Sequence, residues 1–144
     1  MARPKNNRIV HQPPLFTEFK PMGVKGRDLE ILILSLDEFE AIRLADNLGL
    51  SHEEASGEMH ISRSTFSRLI DKARAKVSEM LINGKKLVIE GGNIHFRRNV
   101  IKCKSCEHMF EINIGEKIIR CPNCKSSDLI NLARGFGHGN CCVE

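Results

Sequence analysis

The sequence predicts a mainly α fold with a small β component: a helix-turn-helix domain followed by a zinc-ribbon module. Three observations predict it. Residues 51–81, SHEEASGEMHISRSTFSRLIDKARAKVSEML, contain two helix starts separated by one sharp break. Residues 85–98, KKLVIEGGNIHFRR, alternate apolar and polar positions on either side of a glycine pair. Four cysteines stand as Cys103-x2-Cys106 and Cys121-x2-Cys124, with 14 residues between the pairs.

The totals bound the reading. At 144 residues the chain holds one ordinary domain or two small ones. The expected division is a helix-turn-helix domain with N-terminal arm and β-hairpin over 1–98, a ribbon over 99–132, and a Gly/Cys-rich flexible tail over 133–144. The absence of Trp and Tyr argues against a stacking platform for single-stranded nucleic acid. No apolar run approaches the roughly 20 residues that span a bilayer, and MARPKNNRIV lacks the apolar stretch of a secretory signal. A cytoplasmic protein without membrane contact is therefore expected. Six cysteines in such a compartment read as metal ligands before disulfides.

Taken in order, residues 1–28 read as extended and irregular, because Pro4, Pro13, Pro14 and Pro21 forbid a continuous helix. Arg3, Lys5 and Arg8 suit either a solubilising tail or an arm along DNA. Phe16 and Phe19 are expected to pin this segment to the core. Leu29 to Leu34 (LEILIL) is short and almost wholly apolar, as a buried strand is. Ser35 with Glu38 forms a capping-box pattern opening a helix. Leu36, Phe39, Ile42, Ala45 and Leu48 share one face of that helix, Gly49 ends it, and its acids are expected in solvent. Ser51 with Glu54 repeats the box, and Ser62 caps a longer helix whose Phe66, Leu69, Ile70, Ala73 and Val77 recur at three-and-four spacing. Small Ala55 and Ser56 allow the two helices a close approach. The long helix ends near Asn83-Gly84, and KKLVIEGGNIHFRR then reads as a hairpin turning at Gly91-Gly92. It could touch DNA as a wing or pair with LEILIL, and the structural use is favoured because an isolated hairpin needs an apolar partner.

Charge is distributed unevenly. Residues 36–60 carry seven acids against Arg43, a net of −6, whereas 61–86 carry seven Lys/Arg against Asp71 and Glu79, a net of +5. Such polarisation suits a polyanion. Arg63, Ser64, Ser67 and Arg68 lie off the apolar stripe and are the candidates for reading base edges in the major groove. Thr65, Lys72 and Ser51 are the candidates for phosphate. A solvated polar helix face is the competing reading.

Cys103, Cys106, Cys121 and Cys124 can supply a tetrahedral thiolate shell, the preference of structural zinc. MFEINIGEKIIR between them reads as two strands turning about Gly115. A closed shell leaves no site for a catalytic water. Iron in the same sulfurs is the less favoured alternative, and His108 is read as a spectator. Lys102, Lys104, Arg120 and Lys125 would offset the charge of the thiolates. In the tail, His138, Cys141 and Cys142 are incidental thiols and imidazole or a second, exchangeable metal or redox site.

Two resemblances add to this. Residues 35–77, LSLDEFEAIRLADNLGLSHEEASGEMHISRSTFSRLIDKARAKV with its leading Leu34, are similar to the region-4-type helix-turn-helix of sigma factors. MARPK at the start, FKPMG at 19–23 and LVIEGG at 87–92 together resemble a family of small prokaryotic proteins expected to bind DNA. The resemblance covers about residues 1–92. It departs at His60, where such motifs usually carry Gly, and nothing resembles the sigma regions that bind core polymerase. The expected function is sequence-specific binding of double-stranded DNA by a homodimeric transcriptional regulator with structural zinc. The rivals are an adaptor contacting a partner such as RNA polymerase, and an iron-thiolate redox or metal-sensing protein. No enzyme is expected, since no catalytic set, phosphate-cradling loop or open metal site emerges.

Overall fold

The computed structural model describes residues 8–11, 13–92, 94–96, 99–112 and 117–132. These fall into two compact units divided between Ile94 and His95, with His11 and Pro13 grouped in the second. The first unit holds strands β1 (Arg8–Val10), β2 (Glu18–Phe19) and β3 (Ile31–Leu34), helices α1 (Leu36–Ile42), α2 (His52–Met59) and α3 (Arg63–Asn83), and β4 (Lys86–Ile89). Strand β5 (Ile94–Phe96) spans the division, and β6 (Asn99–Cys103), β7 (Met109–Ile112) and β8 (Leu129–Asn131) belong to the second unit. Among the described residues no helix is long and apolar enough to cross a membrane.

The helix starts follow the local chemistry. Ser35 and Ser51 each close a complete capping box with Glu38 and Glu54, and the Ser62 hydroxyl accepts the Thr65 N–H. His60 ends α2 in the left-handed region (φ 56°), a conformation His enters more readily than bulky residues do, so α2 and α3 are joined only by His60, Ile61 and Ser62. Ala55 and Met59 of α2 meet Phe66, Leu69 and Ile70 of α3, together with Ala41 and Leu44, in one buried cluster.

Several expectations are corrected. The helix from Leu36 does not run regularly to Gly49. After Ile42 it widens into one π-type turn over Arg43–Asn47, closed by the Leu48 N–H on the Arg43 carbonyl (2.9 Å). Leu44 continues the buried stripe of Glu40 and Ala41, and the extra residue carries Leu48, one turn further on, into solvent. The acids of α1 are not in solvent. Asp37 and Glu38 are buried and Glu40 is 0% exposed, because Arg8, Lys76 and Arg43 respectively supply ion partners. Phe16 and Phe19 remain exposed, and the N-terminal segment instead buries Val10, Pro13 and Pro14.

The expected hairpin does not form, because both edges of β4 are taken. It pairs antiparallel with β2 (Phe19 opposite Leu87) and parallel with β3 (Leu32 opposite Leu87), giving the order β2-β4-β3. Gly91 and Gly92 do take positive φ (77° and 104°), for a different purpose. The Gly91 carbonyl accepts the Leu36 N–H (3.0 Å) at the start of α1. A Cβ on Gly92 would meet Asp37 Oδ1 at 2.9 Å. LEILIL is likewise not a buried strand: Leu34 is buried, but Ile31 is 59% and Ile33 47% exposed.

In the second unit β6 is the central strand, with β7 and β8 antiparallel on its two sides. Ile118 and Ile119 form no strand, so the second expected strand of MFEINIGEKIIR is replaced by β8. Gly115, Arg3, Lys5, and tail residues His138, Cys141 and Cys142 lie outside the described residues.

Candidate nucleic-acid interface and metal centre

The residues singled out for DNA divide by what already occupies their polar atoms. Arg63, Ser64, Arg68 and Lys72 are exposed along the first half of α3. Thr65 is half-buried, and its hydroxyl accepts from the Ser62 hydroxyl at 2.7 Å. Ser67 is half-buried and its hydroxyl lies 2.9 Å from His52 Nδ1, while the His52 ring meets Phe66 edge-on with centroids 5.4 Å apart. His52 therefore ties the start of α2 to α3. Nothing in apolar periodicity marks it, because its role needs the two helices already crossed. Ser51 is spent on its cap, accepting the Glu54 N–H at 3.1 Å. In return the Ser51 backbone N–H donates to the Glu54 carboxylate at 3.2 Å, and this bond, with the Ser51 hydroxyl, holds that carboxyl below its usual range, so this helix start carries ionised acid.

The seven basic residues of 61–86 are not equivalent. Arg74 forms a fork with Asp46 (2.7 and 3.2 Å), which lowers the Asp46 pKa and raises that of Arg74. Lys76 bonds Glu38 at 2.6 Å, Lys85 reaches Glu30 and Glu79 at 3.2 Å each, and Lys86 lies 3.5 Å from Glu18. Bonds to Glu30 and Glu79 raise the Lys85 pKa. Among the described residues, Arg63, Arg68 and Lys72 carry no such ion pair, and all three are on the first half of α3. Arg68 Nε donates only to the Ser64 carbonyl (3.4 Å). Arg8, far away in sequence, joins them: with Thr65, Arg68, Leu69, Asp71 and Lys72 it lines an open groove of about 400 Å³. Arg8, expected in a solubilising tail or an arm along DNA, belongs to β1 and is anchored on Asp37.

The four cysteines converge. Their sulfurs all lie within 4.8 Å of one another, with Cys103–Cys124 at 3.5 Å and Cys106–Cys121 at 3.7 Å. Bonds of about 2.3 Å to one tetrahedral ion would space sulfurs by roughly 3.8 Å, so the set fits such an ion. Two equivalent loops create the arrangement. In each, the first Cys N–H bonds the carbonyl five residues on (Cys103 to His108, 2.9 Å; Cys121 to Ser126, 2.8 Å). In each, the residue after the second Cys returns its N–H to the first Cys carbonyl with positive φ (Glu107, 63°; Lys125, 65°). Ser105 and Ser126 join the loops at 2.8 Å. His108 stacks on Phe110, with ring centroids 5.6 Å apart, and is not among the converging ligands.

The environment of the sulfurs favours thiolates unequally. The Asn123 amide, 3.6 Å from the Cys106 sulfur, and the His108 backbone bring Cys106 down to about 6. The Cys106 and Ser105 backbones lower Cys103. At Cys124 the Ser126 N–H favours the thiolate, but desolvation and crowding by the other three sulfurs outweigh it and push the pKa up to about 12. Like charges this close cannot all ionise unaided, and a bound cation removes that conflict. The cluster could hold a metal ion.

Comparison with known proteins covers both units of the chain. The family described as "Protein of unknown function DUF134" matches residues 1–97. A UPF0251 protein of Chlorobaculum tepidum is 41% identical over 142 residues, 96% of this chain and 72% of that protein. UPF0251 proteins of Pelotomaculum thermopropionicum (44% over 128 residues, 89% and 96% of the two chains) and Chloroherpeton thalassium (45% over 136 residues, 94% and 90%) are similar as well. No solved structure matches. With relatives matched nearly end to end and the family signature covering the helical unit, the chain belongs to the DUF134/UPF0251 family.

Proposed function

We propose that the chain binds double-stranded DNA sequence-specifically, as a homodimeric transcriptional regulator carrying structural zinc. In this reading α2 and α3 act as a helix-turn-helix and the first half of α3 enters the major groove. The observation that carries it is the selective neutralisation of the basic residues. Four of the seven in 61–86 are paired with acids, and the three that have no acid partner among the described residues, Arg63, Arg68 and Lys72, share the outward half-helix beside Arg8. Arg63, Ser64 and Arg68 read base edges; Thr65 and Lys72 hold phosphates. Ser51 and Ser67, whose hydroxyls serve the cap and His52, position the helices rather than the bases. Zinc is the metal best suited to four thiolates in paired loops, and it would stabilise the second unit without catalysis. An enzyme is not part of this reading.

Selection of bound sequences from a random duplex pool, followed by competition at rising salt, tests the proposal. A shared motif is expected, with affinity falling linearly in log salt. A pool that stays random after selection would refute it. Elemental analysis is expected to find one zinc per chain, and visible absorption of ferric thiolate would refute the metal assignment.

A further inference from the structure

Strand β3 forms an outer edge of the first unit's three-stranded sheet. Among the described residues, strand β3 is bonded to β4 on one side only. The Lys86 N–H donates to the Glu30 carbonyl (2.9 Å) and the Glu90 N–H to the Leu34 carbonyl (3.0 Å). Those bonds fix the phase, since alternate residues of a parallel strand face the same neighbour. Glu30, Leu32 and Leu34 face β4, and Ile31 and Ile33 turn their N–H and C=O groups to the free edge. Their side chains stand on the outer face, 59% and 47% exposed. Natural sheets protect such edges with proline, lysine or a bulge. Ile31–Leu34 is short, but it carries no proline, charge or bulge, and its register with β4 is unbroken over four pairs.

We propose that β3 pairs antiparallel with β3 of a second copy about a two-fold axis at Leu32, joining two three-stranded sheets into one. Ile31 then lies opposite the partner's Ile33, and each such pair exchanges both of its N–H···O bonds. This register is self-complementary: the groups left free by β4 are the ones an identical strand satisfies. On the outer face each cross-strand row runs Glu18, Val88, Ile33, then the partner's Ile31 and the partner's Lys86. The axis therefore gathers the apolar residues of both copies into one block, with a charge closing each end of every row. The pairing deepens the homodimer of the proposed function and rests on that reading only for its use, which is to present two α3 helices to a two-fold-symmetric site.

The full chain without DNA, studied by sedimentation equilibrium and amide hydrogen exchange, tests the interface. The wild-type chain is expected at the mass of two chains, dissociating on dilution, with Ile31 and Ile33 amides slow to exchange only in the dimer. Ile33→Lys and Ile31→Lys, both outward-facing, are expected at the mass of one chain with the melting temperature of the diluted wild type. A wild-type monomer at every concentration, a dimer that survives both substitutions, or a dimer whose Ile31 and Ile33 amides exchange freely would overturn the proposal. Should a lysine variant unfold, wild-type exchange at these two amides decides alone. A monomer that still selects a DNA motif would sink the interface and spare the DNA reading; a dimer that ignores DNA would do the reverse.

Discussion

The two units meet the same problem, holding a small chain in one shape, with different chemistry. The helical unit buries a cluster of Ala41, Leu44, Ala55, Met59, Phe66, Leu69 and Ile70. The cysteine unit has three short strands and four converging sulfurs. Apolar burial contributes roughly 1.5–3 kcal/mol per large side chain, enough for the first unit to stand on packing. The second has too few such residues for that, and a unit this small usually needs a staple. The lesson lies in where each unit keeps its polar groups. The first hides its α1 acids in ion pairs and, among the described residues, leaves Arg63, Arg68 and Lys72 of α3 exposed without such pairs; the second turns its four sulfurs to a common point.

Metal removal should separate the units most sharply. Structural zinc contributes on the order of 10–16 kcal/mol in small modules. Strong chelation, or Cys106→Ser, is therefore expected to abolish the ordered amide signals of residues 99–112 and 117–132 while the helical circular dichroism largely persists. Helix loss in parallel with metal loss would break the distinction.

The converse comes from the core. Phe66→Ala should destabilise the helical unit by about 3–5 kcal/mol in denaturant unfolding, with metal content per chain unchanged.

Smaller effects bear on the outward cations. Arg68→Ala is expected to cost about 1–3 kcal/mol on the selected site and to relax discrimination at one position. Lys72→Ala should weaken all sequences alike and reduce the salt slope by about 1. Competition binding on matched and mismatched duplexes distinguishes them.

The smallest effect concerns the Asp46–Arg74 fork. The Asp46 pKa is lowered in the folded chain, so its contribution is present above the unfolded carboxylate pKa and is lost as pH falls through the folded one. Both side chains are nearly half exposed, which limits the pair to about 0.2–1 kcal/mol. Asp46→Asn should lower stability by that amount at neutral pH and by almost nothing below the folded pKa, as read by thermal melts across pH.

Local chemistry was legible. The two capping boxes, the Ser62 cap and the Gly84 stop rest on bonds within a few residues, and the structure contains them all. The convergence of the four cysteines was legible too, because the paired spacing leaves thiols little else to do together. Longer-range partners were not. The burial of Asp37, Glu38 and Glu40 depends on Arg8, Lys76 and the π-type turn at Arg43, and no helical periodicity encodes a cation on another element. The hairpin expectation failed similarly: Val88 and Leu87 have strand chemistry whichever neighbour they take.

By itself, then, the sequence determined where helices begin, which residues are apolar and which thiols can share an ion, since these follow from covalent neighbours and side-chain type. Tertiary structure decided which cations stay unpaired on α3, that β4 lies between β2 and β3, and that β3 is left with a free apolar edge. Those outcomes depend on which distant groups compete for the same charge or hydrogen bond, and that competition is resolved only when the chain closes on itself.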